Sequence, residues 1–201
     1  KYSNPGSYAA KVLPAQGFVD VPKDHPYARY IYGLESLGII AGDLSKPFGV
    51  EEKVTREAFV YEIMHQFAVP PSSSNPIFKD VGDSPYKAEI QVAYEMGLLS
   101  GTGTGRFEPN RFIKREEAAV FVMKLLKFSG YQNKESKTTL ASGTSKWAEE
   151  SVKGLIDLKM HGPEVTVTNG TVNYNSKGEL NKQELAAIMY LLLLPEKSLL
   201  Q

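Results

Sequence analysis

Apolar residues recur at helical spacing near the start of the chain. Ile31, Leu34 and Leu37 lie three residues apart, and Gly38 follows them, where a left-handed cap ends many helices. Proline disfavours helix in the residue before it, so this helix is expected to start near Pro26. The pattern predicts a first helix of about three turns.

A second helical pattern follows a stretch without periodicity. Residues 39–53 contain Gly42, Pro47 and Gly49, which is typical of a loop. Thr55 is a favourable N-cap residue, and Phe59 and Ile63 continue an apolar stripe that stops at Pro70. The predicted unit is a helix, a long loop and a second helix.

The same order of features returns 59 residues later. A fixed period of this size indicates repeated supersecondary units. The matched residues are Pro26 and Pro85, Tyr27 and Tyr86, Ile31 and Ile90, Gly38 and Gly97, Gly42 and Gly101, Phe48 and Phe107, and Arg56 and Arg115.

A fainter third copy is expected from about residue 140 to residue 194. Trp147 is the expected counterpart of Tyr27 and Tyr86, while Lys182 and Glu184 correspond to Arg115 and Glu117. Asn181 and Glu184 also have the spacing of a capping box before an apolar stripe.

Composition divides the chain into expected segments. Residues 70–76 and 129–137 are rich in proline, serine or charge and are typical of short linkers. A unit of two helices has too little apolar surface to be stable alone, so the three units are expected to share a core through their second helices. The predicted fold is mostly α: three tandem helix-loop-helix repeats around a central helical core, with short extended segments. The expected boundaries are an N-terminal extension at 1–16, units 1, 2 and 3 at 17–72, 73–131 and 132–195, and a C-terminal tail at 196–201.

Composition and charge exclude several classes of partner. Of the 201 residues 42% are hydrophobic, and 23 basic residues balance 23 acidic ones. No overall electric field therefore favours nucleic acid or an anionic membrane. The chain has no cysteine for disulfides or thiolate metal sites, and no apolar run is long enough for membrane insertion.

Several short motifs occur in the same order in units 1 and 2. They are Phe18-Val-Asp-Val and Phe78-Lys-Asp-Val, Gly38-Ile-Ile-Ala-Gly42 and Gly97-Leu-Leu-Ser-Gly101, Phe107-Glu-Pro109, and Val54-Thr-Arg-Glu-Ala and Ile113-Lys-Arg-Glu-Glu. This ordered set resembles the repeat of the S-layer homology family.

The resemblance implies a three-repeat pseudo-trimer that docks non-covalently on a secondary cell-wall polysaccharide of a Gram-positive-type bacterium. That polymer often carries pyruvylated N-acetylmannosamine, and the family anchors S-layer proteins and surface enzymes. The implied location is extracellular, at the cell wall or S-layer, with lattice or surface-protein neighbours as further partners. No enzymatic activity and no cofactor are expected.

Unit 3 departs from the family pattern most. It lacks the F-x-D-V motif, carries Lys182 in place of arginine, and has a Thr-, Val- and Asn-rich loop at 163–178. Unit 1 has Glu57-Ala58 in inverted order, and its Phe48 motif lacks the proline. Weak or altered ligand chemistry is therefore expected in unit 3.

A pyruvyl ketal adds a carboxylate to a sugar, which suits a cationic fork. Arg56 and Arg115 are the expected forks, because guanidinium binds carboxylate through two parallel hydrogen bonds. Lys182 offers only a point charge. The alternative is that these side chains pair with neighbouring acids on the protein surface.

The remaining candidates have two possible roles each. Asp20 and Asp80 can accept sugar hydroxyls or tie down loop amides. Glycines can shape turns or admit a ligand close to the backbone. The aromatic rings can stack on a sugar or seal the seam between units. These candidates are Gly42, Gly101, Gly103, Tyr27, Tyr86 and Trp147, and helix-capping support is expected from Thr55, Glu117 and Glu184.

Rival functions have weaker sequence support. Residues 173–184 have EF-hand-like spacing, but Lys177 at a coordinating position and the absence of aspartate leave too little negative charge for calcium. His25, His65 and His161 fall in different units and form no zinc motif. The main alternative to glycan binding is a structural module that self-associates in a surface layer.

Overall fold

Helices alternate with long loops throughout the computed structural model, which describes residues 17–194. The predicted extension at 1–16 and tail at 196–201 lie outside the described residues, as does Pro195. The helices in the described part are α1 Ala28–Ser36, α2 Arg56–Gln66, α3 Lys87–Glu95, α4 Arg115–Phe128, α5 Glu149–Asp157 and α6 Lys182–Leu191, with a 3-10 turn at Lys146–Ala148. The structure is mostly helical, as predicted.

The first helix of each unit ends on a left-handed residue. Gly38 and Gly97 have φ of +70° and +76°, and the N–H of Ile39 bonds back to the carbonyl of Leu34 at 3.0 Å. Unit 3 uses Lys159, with φ of +54°, at this position. A side chain in this conformation costs about 1–2 kcal/mol, so unit 3 keeps the turn without the preferred residue.

The second helices begin with the predicted caps. The hydroxyl of Thr55 accepts a hydrogen bond from the third residue of α2. Asn181 and Glu184 form the reciprocal capping box at the start of α6. At α4 the carboxylate of Glu117 accepts from the N–H of Lys114 at 2.9 Å. Local side chains therefore fix where each second helix starts.

A ring of three backbone hydrogen bonds joins the segments before α2, α4 and α6. The N–H of Val54 donates to Leu180 at 3.0 Å, Leu180 donates to Ile113 at 2.9 Å, and Ile113 donates back to Val54 at 2.9 Å. All three residues are buried. The ring fixes the starts of the second helices relative to one another.

Helix packing interlocks the units in the same cyclic order. Helix α3 packs on α2, α5 packs on α4, and α1 closes the circle on α6. The expectation of a core shared through the second helices is therefore incomplete: α2 and α6 do touch, but each first helix packs on the second helix of a neighbouring unit. One buried apolar cluster contains residues of all three units.

Unit 3 also contains a small sheet. Its strands are β1 Thr139–Leu140, β2 Thr166–Thr168 and β3 Thr171–Asn173, in the order β1-β3-β2. Strand β3 pairs parallel with β1 and antiparallel with β2.

The F-x-D-V segment of unit 1 forms a turn and is not one of the short extended segments of the predicted fold. The N–H of Val21 bonds back to the carbonyl of Phe18 at 3.0 Å, and Val19 and Asp20 form the turn between them.

Two helical glycines test the interlocked packing. A Cβ at Gly33 in α1 would lie 2.4 Å from the ring of Tyr190 in α6, whereas one at Gly154 in α5 would meet the flexible end of Met123 at 2.7 Å. Alanine gains about 1 kcal/mol over glycine in a helix. We expect Gly33→Ala to lower the free energy of unfolding by about 1–3 kcal/mol, because the rigid ring cannot yield.

Gly154→Ala is the matched control for that substitution and is expected to be close to neutral. Urea unfolding followed by circular dichroism measures both. Equal effects of the two substitutions would contradict the close approach of α1 to α6.

Candidate functional site

Three cations occupy equivalent positions as the first residues of α2, α4 and α6. Each side chain reaches an aromatic residue of another unit, bonds to its backbone carbonyl and lies over its ring. The pairs are Arg56 with Phe107, Arg115 with Tyr174, and Lys182 with Phe48. The distances from cation to ring centroid are 4.6, 4.3 and 4.7 Å. Each cation therefore links two units.

The first of these cations, Arg56, lines a cleft of about 710 Å³, which we call the Arg56 groove. Most of its lining residues belong to units 1 and 2, and Trp147, Glu150 and Ser151 of unit 3 border it. Arg56 is only 7% exposed. Its Nε donates to Phe107 at 2.8 Å, and its Nη1 lies 2.6 Å from Oε2 of Glu117, which Arg111 also contacts at 2.9 Å. Among residues 17–194, Nη2 of Arg56 has no hydrogen-bond partner.

The walls of the Arg56 groove are positively charged. Besides Arg56, its basic lining residues are Arg111, Lys114, Lys124 and Lys127, and its acidic ones are Glu117 and Glu150. Burial lowers the pKa of Arg56, and Glu117 only partly opposes this. The groove therefore holds more positive than negative charge, which is the electrostatic condition for binding an anion.

Lys182 opens on a second cleft, the Lys182 groove, of about 640 Å³ between units 1 and 3. Its side chain is 38% exposed, and its nearest carboxylate is that of Glu52, 3.7 Å away. Ala58 lies here at the position that Glu117 occupies in unit 2, so the inverted Glu57-Ala58 pair removes a carboxylate from this groove.

The Arg115 site differs because its cation is enclosed. Arg115 is 1% exposed, and its Nη1 and Nη2 face Glu184 at 3.0 Å and Glu164 at 3.2 Å. Burial alone lowers the pKa of Arg115, but Tyr174 and the two carboxylates outweigh it and raise the pKa. The fork expected to be open to a ligand is occupied by groups of the protein.

The two candidate aspartates tie down loops. Asp20 accepts from the N–H groups of Phe48 and Gly49 at 2.7 Å, and Asp80 accepts from the N–H of Phe107 at 2.8 Å. Burial alone raises the pKa of each carboxyl, but the amide hydrogen bonds bring it below its usual value. The carbonyls of Phe48 and Phe107 also accept hydrogen bonds from Lys182 and Arg56. The aspartates therefore fix the loops that border the two grooves.

The candidate glycines differ in how much space a side chain would have at each position. Gly101 lines the Arg56 groove with φ of +83°, and a Cβ there would lie 2.6 Å from the carbonyl of Arg106. A Cβ at Gly42 would meet Glu35 at 2.8 Å, whereas one at Gly103 meets nothing within 4 Å. Turn geometry and packing account for Gly101.

The aromatic candidates separate into buried rings and one exposed ring. Tyr27 is buried and donates to Glu164 at 2.6 Å, and Tyr86 is half-buried and stacks on Tyr61 at 4.3 Å. Trp147 lines the Arg56 groove and is 63% exposed. The expected equivalence of Trp147 with the two tyrosines is wrong, since Ala148 is the residue that directly precedes its helix.

Sequence reasoning missed Arg111, Glu164 and Tyr174. Tyr174 had a signal, because an aromatic residue stands eight positions before each of the three cations. Glu164 had none, since it lies in the loop of unit 3 that matches no motif. Among residues 17–194 no group of three or more His, Asp or Glu side chains could hold a metal ion. No described helix is long and apolar enough to cross a membrane.

The comparisons with known proteins agree with the motifs. The sequence model of the S-layer homology domain matches residues 17–60 and 77–119. A cell surface protein of Thermoanaerobacter kivui is 34% identical over 120 residues, 55% of this chain and 15% of the relative. An endoglucanase of Bacillus sp. (strain KSM-635) is 33% identical over 111 residues, 55% of this chain and 12% of the enzyme.

S-layer protein EA1 of Bacillus anthracis is also similar, with 28% identity over 98 residues, 47% of this chain and 11% of the relative. The chain therefore spans a small fraction of the length of the relatives that it matches.

The hydrogen bonds from loop amides to Asp20 and Asp80 predict how the free energy of unfolding changes in acid. A folded pKa below the ordinary value of 3.8 means that Asp20 and Asp80 stabilise the fold above about pH 4 and lose that contribution as the pH falls through the lowered pKa. We expect Asp80→Asn to lower the free energy of unfolding at pH 7 by about 1.5–3 kcal/mol. The difference from the wild type should shrink below pH 4.

Asp83→Asn, at an exposed neighbouring position, is the control for this prediction. Urea unfolding between pH 7 and pH 2.5 gives the comparison. A deficit of Asp80→Asn that stays constant over this range would contradict the role of the charged carboxylate.

Proposed function

The chain belongs to the S-layer homology family, and we propose that it is a non-covalent anchor that binds an acidic polysaccharide of the cell wall. Domains of this family are cell-surface anchoring modules of Gram-positive bacteria, so the chain functions outside the cell, at the cell wall. The ligand, its acidic group and the residues that bind it are the proposed parts.

The Arg56 groove carries the proposal. One cleft is bordered by a guanidinium nitrogen without a partner among residues 17–194, by an excess of basic side chains and by the exposed ring of Trp147. A sugar bearing a carboxylate needs these three features: a donor for its oxygens, a positive field and an apolar surface for its ring face. We therefore propose Arg56 as the principal ligand contact and Trp147 as the stacking surface.

A pyruvate ketal on N-acetylmannosamine is the acidic group that we propose for this site. Its carboxylate would approach Nη2 of Arg56, the nitrogen with no partner among the described residues. Asp80 and Glu117 would hold the loop and the guanidinium in place for this contact.

Three units are proposed to form a pseudo-trimer with one helix-starting cation at each junction. The ring of Val54, Ile113 and Leu180 and the cyclic helix packing support this arrangement. The segment boundaries near residues 72 and 131 remain part of the proposal. The Lys182 groove is proposed as a weaker second site, because ammonium lacks the planar fork of guanidinium.

No catalytic role is proposed for this chain. The similar endoglucanase shares only 12% of its length with the chain. In the Arg56 groove the carboxylate of Glu117 is bound to two arginines, so it is poorly suited to act as a general acid or base.

Self-association within a surface layer is the second candidate function. An apolar groove of about 310 Å³ lies at the C-terminal ends of α2, α4 and α6. Phe67 and Phe128 line it and are 41% and 61% exposed. Partly exposed apolar rings of this kind favour contact with another protein.

Two aromatic substitutions separate the Arg56 groove from the apolar groove as the site of the polymer. Trp147 and Phe128 are almost equally exposed, at 63% and 61%, so neither truncation is expected to unfold the chain. We expect Trp147→Ala to weaken binding of pyruvylated cell-wall polysaccharide about 5- to 10-fold, whereas Phe128→Ala leaves it unchanged. Isothermal titration calorimetry measures both, and weaker binding of Phe128→Ala with unchanged binding of Trp147→Ala would place the polymer at the apolar groove and contradict the Arg56 site.

Removal of pyruvate from the polymer tests the charge argument. Charge-assisted hydrogen bonds contribute roughly 1.5–3 kcal/mol, so the stripped polymer is expected to bind about 10- to 100-fold more weakly. Undiminished binding of the stripped polymer would exclude the carboxylate as the recognised group. Absence of binding to either polymer would refute the proposed function.

A further inference from the structure

The Arg115 site repeats the geometry of the Arg56 groove with one difference. Each Nε donates to the carbonyl of an aromatic residue, and each Nη1 faces the glutamate at the third position of the next second helix, Glu117 or Glu184. Among residues 17–194 the Nη2 of Arg56 forms neither a hydrogen bond nor an ion pair, whereas the Nη2 of Arg115 forms an ion pair with Glu164 at 3.2 Å, without the alignment of a hydrogen bond.

Glu164 is held at this position by contacts from two units. Its Oε2 accepts the hydroxyl proton of Tyr27 at 2.6 Å, and its Oε1 accepts from the N–H of Gly162 at 3.3 Å. Both Tyr27 and Arg115 are buried. A carboxylate therefore sits between a fixed cation, a hydroxyl and an amide, which are the donors that an external carboxylate would need.

We propose that Glu164 is an internal carboxylate ligand that closes the Arg115 site. It occupies the position at Arg115 that the Arg56 groove leaves open for an external acid. Two of the three junctions are then open to ligand. The carboxylate of Glu164 closes the third, at Arg115. The comparison with an external ligand rests on the proposed function, but the closure itself does not.

The closure of the Arg115 site is tested by removing the carboxylate of Glu164 and supplying another carboxylate from solution. Glu164→Ala removes the acid and leaves a space beside Arg115 and Tyr27, and sodium acetate supplies a small carboxylate to fill it. We expect Glu164→Ala to unfold at a lower temperature than the wild type, and acetate to raise its Tm saturably by at least about 2–4 °C relative to sodium chloride at equal ionic strength.

Two variants control for general effects of acetate. Glu52→Ala removes an exposed carboxylate beside Lys182, where no enclosed space is created, and Glu164→Gln fills the site with a neutral amide. Neither is expected to respond to acetate more than the wild type. A Glu164→Ala chain that is unfolded in chloride must fold when acetate is added.

An acetate response of Glu164→Ala no larger than that of Glu52→Ala would overturn the proposal. So would failure of Glu164→Ala to fold in both salts. Because this experiment uses no polysaccharide, its failure is distinct from failure of the proposed anchoring function, which is judged by binding to the polymer.

Discussion

The grooves depend on the contact that each helix-starting cation makes with the loop of another unit. The position of Arg56 is set by the start of α2, and its guanidinium binds the carbonyl of Phe107 and covers its ring. Asp80 binds the N–H of the same phenylalanine from the other side. The loop that contains Phe107 is thus held between a cation of unit 1 and a carboxylate of unit 2. The contacts that shape the groove are therefore also contacts that stabilise the fold.

The three junctions differ in how the cation is neutralised. A buried guanidinium is costly unless charges and hydrogen bonds compensate it. Arg115 has two carboxylates, and its pKa is raised; Arg56 has Glu117, shared with Arg111, and its pKa is lowered. Lys182 keeps partial solvent contact instead. The same repeat therefore provides one closed junction and two open ones.

Features set by local sequence could be predicted, and those set between units could not. The cap at Thr55, the capping box of Asn181 and Glu184, and the left-handed Gly38 involve residues within a few positions of each other. The helix boundaries followed from them. The packing of α1 on α6 joins the two ends of the described chain, and no periodicity encodes it.

The same distinction applies to the site. The position of Arg56 at the start of a helix followed from the repeat and the cap at Thr55, but its partner Glu117 lies 61 residues away. The contact of Arg115 with Glu164 depends on a loop that has no counterpart in units 1 and 2. Trp147 was aligned one position out of register because its ring resembled the tyrosines, and its exposure became visible only in the folded chain.

The central claim is that the acidic ligand binds where a cation is left incompletely neutralised. The most direct measurement is side-chain chemical-shift mapping by NMR during titration with a pyruvylated oligosaccharide of the cell wall. The account predicts large shifts for the Nε–H of Arg56 and the indole N–H of Trp147, and little change for the Nε–H of Arg115. Shifts confined to the apolar groove around Phe128, or equal shifts at both arginines, would contradict it.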